Sequence, residues 1–205
     1  MKNYKLSGII SVAVMGLALM NFASCSEKKF KVNGTITQAK DSILYLENMS
    51  LSGPRTVDSV KLDESGNFEF SYKAAPAPEF YRLRIANQIV NIGVDSTETI
   101  NVKAAYPTMS ANYEVSGSEE CAKIRELAYM QLALQNKVTA IANSNSLGVA
   151  AVEDSVAKVL DVYKNKVKMD YIFKEPMKAY AYYALFQTVQ LGNANMLIFN
   201  QRSNK

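Results

Sequence analysis

The chain has 205 residues, a formal charge of +4, 48% hydrophobic residues and 20% charged ones, the balance of a globular protein rather than a disordered one. It holds no histidine and no tryptophan, which takes away the commonest general base and the commonest metal ligand. So small a positive charge, about +2 without Lys2 and Lys5, excludes the dense basic stripe that a nucleic-acid partner requires.

The first 24 residues read as a signal peptide. Lys2 and Lys5 form a positive start, and an apolar stretch runs from Ile9 to Met20, relieved only by Ser11 and Gly16. Phe22-Ala23-Ser24-Cys25 follows, with small residues at the two positions before the cysteine. The stretch is short of the roughly 20 residues of a membrane span. The pattern is that of a lipoprotein precursor cleaved before Cys25, whose thiol then takes a diacylglycerol. Several acyl chains, each contributing about 0.8 kcal/mol per methylene, would anchor such an N-terminus stably. Residues 25–29 form the lipidated start and a short tether. Ser26 is not the aspartate of inner-membrane retention, and Glu27 stands alone before Lys28 and Lys29. The expected location is therefore the cell envelope, anchored to the outer membrane and facing the periplasm.

Residues 30–116 read as sheet. Val32, Gly34 and Ile36 alternate with polar neighbours, Ile43 to Leu46 is a compact apolar run, and Val57 to Leu62 alternates again. Asp63-Glu64-Ser65-Gly66-Asn67 has the composition of a hairpin turn, with Gly66 free to take a positive φ. Phe68 and Phe70 then point to one face. Beyond the Ala-Pro linker at 74–78 come Tyr81 to Ile85, Ile89 to Val94, Ile100 to Val102, and Tyr113 to Val115. About eight short strands at this spacing predict an antiparallel β-sandwich, because hairpin-length loops leave no room for parallel crossovers.

Residues 117–191 read as a three-helix segment, which makes the fold class α+β. Ser118 is a good N-cap, and Glu119 and Glu120 complement the helix dipole. Ile124, Leu127, Leu134, Val138 and Ile141 form a first stripe at helical spacing. After a break at 143–148, a second runs Val149, Val152, Val156, Leu160, Tyr163, Val167, Tyr171, predicting an antiparallel helix pair. Pro176 is placed to open a third helix, in which Tyr180, Tyr182, Tyr183 and Phe186 point in several directions. A helix apolar all round must be buried on more than one side. Its aromatic cluster is either core or a ligand platform. Residues 192–205 read as a C-terminal tail, in which Met196 to Phe199 resembles an interrupted connection.

Candidate chemistry is sparse. With Cys25 acylated, Cys121 is the only free thiol, so neither an internal disulfide nor a Cys-x-x-Cys pair exists. Its place near a helix start could lower its pKa, against the plainer reading of a small semi-buried residue. Ser155 and Lys158 have Ser-x-x-Lys spacing but lie off the apolar stripe, on a solvated face. Asp161 and Asp170 sit among lysines as surface ion-pair partners. Asp63 with Glu64, and Asp95 with Glu98, are turn acids without the spacing of a calcium loop. No catalytic residue, cofactor site or metal site is expected, and Cys25 is the one assigned site.

The order of motifs resembles a known family. After the lipobox cysteine come Phe30-Lys31-Val32-Asn33-Gly34-Thr35-Ile36, then Leu44-Tyr45-Leu46, Asp58-Ser59-Val60, and a D-x-x-G-x-F-x-F pattern from Asp63 to Phe70. Phe80-Tyr81-Arg82-Leu83 follows, and Val115-Ser116-Gly117-Ser118 opens the helices. This is similar to the N-terminal domain of unknown function that precedes a thioredoxin-like domain in lipoproteins of the TlpA/ResA type. The resemblance covers residues 30–118 well and the helices more loosely. It implies descent from disulfide-exchanging periplasmic proteins, whose W-C-x-x-C motif is missing here, so no redox residue carries over. The expected function is that of a non-catalytic, membrane-anchored accessory or binding module with a periplasmic protein as partner. The alternatives are a truncated or partner-dependent subunit of a thioredoxin-like disulfide reductase, with Cys121 forming a mixed disulfide, and a glycan- or small-ligand-binding lipoprotein.

Overall fold

The computed structural model describes residues 28–50, 52–144 and 148–199. The stretch expected to be a signal peptide, Cys25 and most of the expected tether lie outside the described residues. Among the described residues the fold is α+β: ten strands in three sheets, with the helices following the first eight strands. These are β1 (Lys29–Thr37), β2 (Ile43–Ser50), β3 (Gly53–Lys61), β4 (Asn67–Lys73), β5 (Glu79–Ile85), β6 (Gln88–Val94), β7 (Thr99–Ala105) and β8 (Tyr113–Ser116). They fall where the period-two alternation predicts strands.

The chain deals these strands into two four-stranded sheets. The first has the order β4-β1-β7-β8 and the second β3-β2-β5-β6. Phe30, Val32, Phe70, Ile100 and Val102 of the first join Leu44, Leu46, Tyr81, Leu83 and Ile92 of the second in one buried cluster. Two expectations need correction. The strands are not all antiparallel, since β1 and β7 pair in parallel from Lys31↔Thr99 to Thr37↔Ala105. No short crossover is involved, because the chain between them passes through β2 and β3 of the second sheet, returns to the first as β4, and crosses again to β5 and β6. Nor is Asp63–Asn67 a hairpin turn: β3 and β4 belong to different sheets, so this turn is a corner between them. Asp63 Oδ1 accepts from the Ser65 and Gly66 N–H groups at 2.9 and 3.1 Å, and the Gly66 carbonyl accepts from Ile36 N at 2.9 Å.

The helical layer packs on the face of the second sheet that points away from this core. Helix α1 (Glu119–Ala142) starts at Ser118, whose side chain accepts from Cys121 N. It crosses β6 at Gly93, where a Cβ would stand 2.7 Å from Ile124 Cδ1. A side chain at this position would force the Ile124 side chain to move. Helix α2 (Val149–Val167) continues into a π-helical turn at Lys168–Ile172, and buries Val156, Tyr163, Val167 and Tyr171 against α1. Val149, expected in that stripe, is exposed at the first position of the helix. Helix α3 is Ala179–Leu185, with Lys178 in the N-cap position, so Pro176 lies in the preceding turn rather than opening the helix. It buries Ala179, Tyr180, Ala181 and Ala184.

The final described stretch also differs from expectation. β9 (Thr188–Leu191) and β10 (Ala194–Leu197) form an antiparallel hairpin through Gly192, within residues predicted as the end of the helical segment and a tail. Gln131 Nε2 and Gln135 Nε2 of α1 donate to the Thr188 and Gln190 carbonyls, and Ile198 is buried among the helices. Docking on α1 supplies what a lone two-stranded hairpin lacks. Among the described residues, no helix is long and apolar enough to cross a membrane.

Candidate ligand cleft

Alternation along β2, β5 and β6 decides what the outer face of the second sheet presents. Leu46, Leu83 and Val90 point to the core, so Met49, Phe80 and Asn91 point outward. Helix α3 lies across one end of this face. Together they enclose a cleft of about 570 Å³ lined by Met49, Ser50, Phe80, Tyr81, Asn91, Tyr182, Tyr183 and Phe186. That volume is within the usual range for small-molecule sites.

Five of the eight lining residues are aromatic. Phe186, in the C-cap position of α3, is 65% exposed, and Tyr182 is 41% exposed. The Asn91 amide donates to the Tyr183 hydroxyl at 3.1 Å, fixing both polar groups at the wall. Burial holds the Tyr183 phenol above its ordinary pKa, and the Asn91 bond opposes that shift. The phenol is therefore a neutral hydrogen-bonding group at physiological pH. The arrangement offers ring faces for stacking beside amide and hydroxyl groups for orientation.

An ionic cluster borders the cleft on the same sheet face. Glu47 sits opposite Arg82 in the β2–β5 register, and Asn91 sits opposite Arg82 in the β5–β6 register. The buried Glu47 carboxylate receives Arg82 Nε at 2.6 Å and Arg84 Nη2 at 2.8 Å. Burial alone would raise its pKa, but the hydrogen bonds and charges of Arg84 and Arg82 outweigh that and hold it below the usual value. Arg84 also lies 4.5 Å over the Tyr45 ring, a cation–π contact that fixes its plane.

The residues weighed in the sequence are scattered. Cys121 is buried, its thiol donates to the Gly93 carbonyl at 3.2 Å, and burial raises its pKa to about 12. The helix start does not win against desolvation, so the thiol is not activated. Lys158 pairs with Asp154 at 2.7 Å on an exposed face, and Ser155 beside it is half-buried. Asp170 pairs with Lys166 at 2.7 Å, and Asp161 is exposed. Asp63 binds its own turn, and Glu98 Oε1 accepts from Asp95 N at 2.9 Å. Among the described residues, no three His, Cys, Asp or Glu side chains group as metal ligands.

Of the aromatic cluster in the third helix, Tyr180 is core, while Tyr182, Tyr183 and Phe186 line the cleft. The contributions of Met49, Phe80 and Asn91 were not legible in the sequence. Their only signal was outward phase on strands whose outer face could equally have met solvent.

No curated protein sequence matches the chain. Among solved structures it is similar in part to an (S)-allantoin synthase, at 8% identity and a TM-score of 0.33, over 46% of this chain and 45% of that one. It is also similar to a 9R-lipoxygenase from Cyanothece PCC8801, at 13% identity and a TM-score of 0.25, over 66% of this chain and 25% of that one. The chain thus spans less than half the length of either, and neither likeness bears on its chemistry. Residues 30–123 match a family described as a domain of unknown function (DUF4369), a stretch that takes in both four-stranded sheets and the first turn of α1.

Proposed function

We propose that this protein is a non-catalytic binding module of the bacterial cell envelope, held by acyl chains on Cys25 to the periplasm-facing side of the outer membrane. Its ligand sits in the aromatic cleft between α3 and the second sheet. The carrying observation is the lining itself: exposed Phe186 and Tyr182 rings stand beside a fixed Asn91–Tyr183 pair. Such a site suits a small ligand with one apolar face and a hydroxyl-bearing edge, of which a sugar ring is the commonest biological form.

The order of motifs from Phe30 to Ser118 supports descent from the accessory domain of TlpA/ResA-type thiol-disulfide oxidoreductase lipoproteins. In that lineage the two sheets form a β-sandwich around their shared cluster, and a separately encoded periplasmic protein is the natural partner. A mixed disulfide through Cys121 is the weaker reading, because that thiol is buried and protonated.

The test has two parts. Mass spectrometry of the mature N-terminus should find acyl chains on Cys25. A thermal-shift screen of the chain from residue 26, which keeps every described element, should find a carbohydrate that raises the melting temperature. A ligand at a hundred times its Kd stabilises by about 2.7 kcal/mol. Phe186→Ala should abolish the shift without altering the melting of the free protein. Silence across neutral and acidic carbohydrates would remove the sugar reading of the cleft.

A further inference from the structure

We propose that the sugar taken by the aromatic cleft, the reading on which this rests, is a uronic acid whose carboxylate docks on the Arg82 guanidinium. Arg82 points outward on β5, two residues beyond Phe80 and opposite Asn91, and both of these line the cleft. Outward residues two apart on a strand stand about 7 Å from each other, and residues directly opposite about 5 Å. The guanidinium therefore borders the Asn91–Tyr183 pair that orients the hydroxyl edge of the ligand. Across β2 it meets Glu47, which precedes the cleft residue Met49 by two positions. The Arg82 side chain is 20% exposed and that of Glu47 6%, so a ligand reaches the cation and not the carboxylate.

Charge gives the ligand its sign. The cleft lining holds no charged side chain, and beside it two arginines face one carboxylate, a net charge of +1. Arg84 is already occupied: its Nε and Nη2 both meet Glu47 Oε1, at 2.9 and 2.8 Å, and its Nη1 donates to the Ala86 carbonyl at 3.3 Å. Arg82 gives its Nε to Glu47 Oε2, and among the described residues no second protein residue accepts from it. Its Nη groups are left for a ligand. Glu79, the other acid of β5, has the opposite phase and is held by Asn48 and the Tyr81 hydroxyl. A single surplus positive charge matches the single negative charge of a carboxylate, whose planar shape also fits the guanidinium fork. A phosphate ester, with a charge of about −1.5 to −2 near neutral pH, would find no second cation. Glu47 fixes the Arg82 plane before the ligand arrives, which lowers the cost of ordering that side chain on binding.

The experiment is titration calorimetry of the chain from residue 26 with oligosaccharides of galacturonate, glucuronate and mannuronate. Each is measured beside its methyl ester, which keeps the rings and hydroxyls and loses the charge. At least one acid should bind about tenfold or more tightly than its ester, the scale of a hydrogen-bonded charge pair. The preference should fade at about 1 M salt, where the Debye length is about 3 Å. Arg82→Gln should erase the preference, so that acid and ester bind alike, and Phe186→Ala should abolish binding of both. The comparison of acid with ester needs no variant, so it decides the matter even where Arg82→Gln fails to fold. Equal affinity for acid and ester, lost in Phe186→Ala, would overturn the uronic acid and leave the sugar reading of the cleft standing. No binding by acids, esters or neutral sugars would overturn both. A preference that survives in Arg82→Gln, or tighter binding of glucose 6-phosphate than of glucuronate, would also overturn the proposal.

Discussion

Glu120 caps helix α3 from a different helix: its Oε2 accepts the Tyr180 backbone N–H at 3.1 Å, while its Oε1 lies 3.3 Å from Lys178 Nζ. A seven-residue helix is too short to persist alone in water, and Lys178 at its N-cap offers no side-chain acceptor. The cap therefore comes from the first turn of α1, and one carboxylate ties together the starts of both helices. Since α3 carries Tyr182 and Tyr183, with Phe186 at its C-cap, the cleft depends on this bond.

Replacing Glu120 with Ala should destabilise the protein by about 1–2 kcal/mol, the cost of a lost cap with a buried N–H left unpaired. Glu120→Gln, which keeps an acceptor oxygen, should lose less. Equilibrium urea unfolding gives both numbers. Hydrogen exchange at the Tyr180 amide should accelerate in the alanine variant and little in the glutamine one.

Glu47 predicts an acid limit to stability. Its folded-state pKa lies below the ordinary 4.5, so on acidification the unfolded chain binds the proton first. Its contribution is therefore whole above about pH 4.5 and is lost as the pH falls through the lower, folded value. Glu47→Gln should cost about 1.5–3 kcal/mol at neutral pH, the range for hydrogen bonds to charged groups, and should flatten the acid limb of the stability profile. An unchanged acid limb in the variant would show that another carboxylate governs it.

Cys121 should be inert in the native protein. With its pKa raised to about 12 by burial, its thiolate fraction at neutral pH is roughly a thousandfold below that of an unperturbed thiol. A thiol-specific reagent should label it only through unfolding, and the labelling rate should rise with urea across the unfolding transition. Rapid labelling in native buffer would mean that the α1–β6 contact opens locally.

Gly66 should tolerate no side chain. Its φ is +66°, and a Cβ there would stand 2.1 Å from the Ile36 carbonyl oxygen. Gly66→Ala should cost about 2 kcal/mol or more, from backbone strain and the displaced strand together. Thermal unfolding of that variant beside Asn67→Ala separates the glycine's role from the general cost of altering the turn.

The D-x-x-G-x-F-x-F motif was legible as a turn followed by a strand, because Asp63 closes its bonds within three residues and Gly66 needs a positive φ whatever lies around it. Which strands that turn joins was not legible. Val57–Leu62 and Phe68–Phe70 alternate equally well as a hairpin or as members of two sheets, and only the pairing of β4 with β1 settles it. Ser118 and the two glutamates located the start of α1 for the same local reason. The hairpin of β9 and β10 was missed because its strands are four residues each and depend on glutamines from α1.

By itself the sequence determined the period-two strands, the first helix and its cap, and the absence of histidine, since these rest on residue identity and on bonds spanning a few positions. The tertiary structure decided which faces meet. Gly93 admits Ile124, so the helices cover the outer side of the second sheet. That contact buries Cys121, and it brings Phe80 and Asn91 of the sheet up to Tyr183 and Phe186 of the helical segment. Such juxtapositions join residues about ninety positions apart through close packing, and no local spacing encodes them.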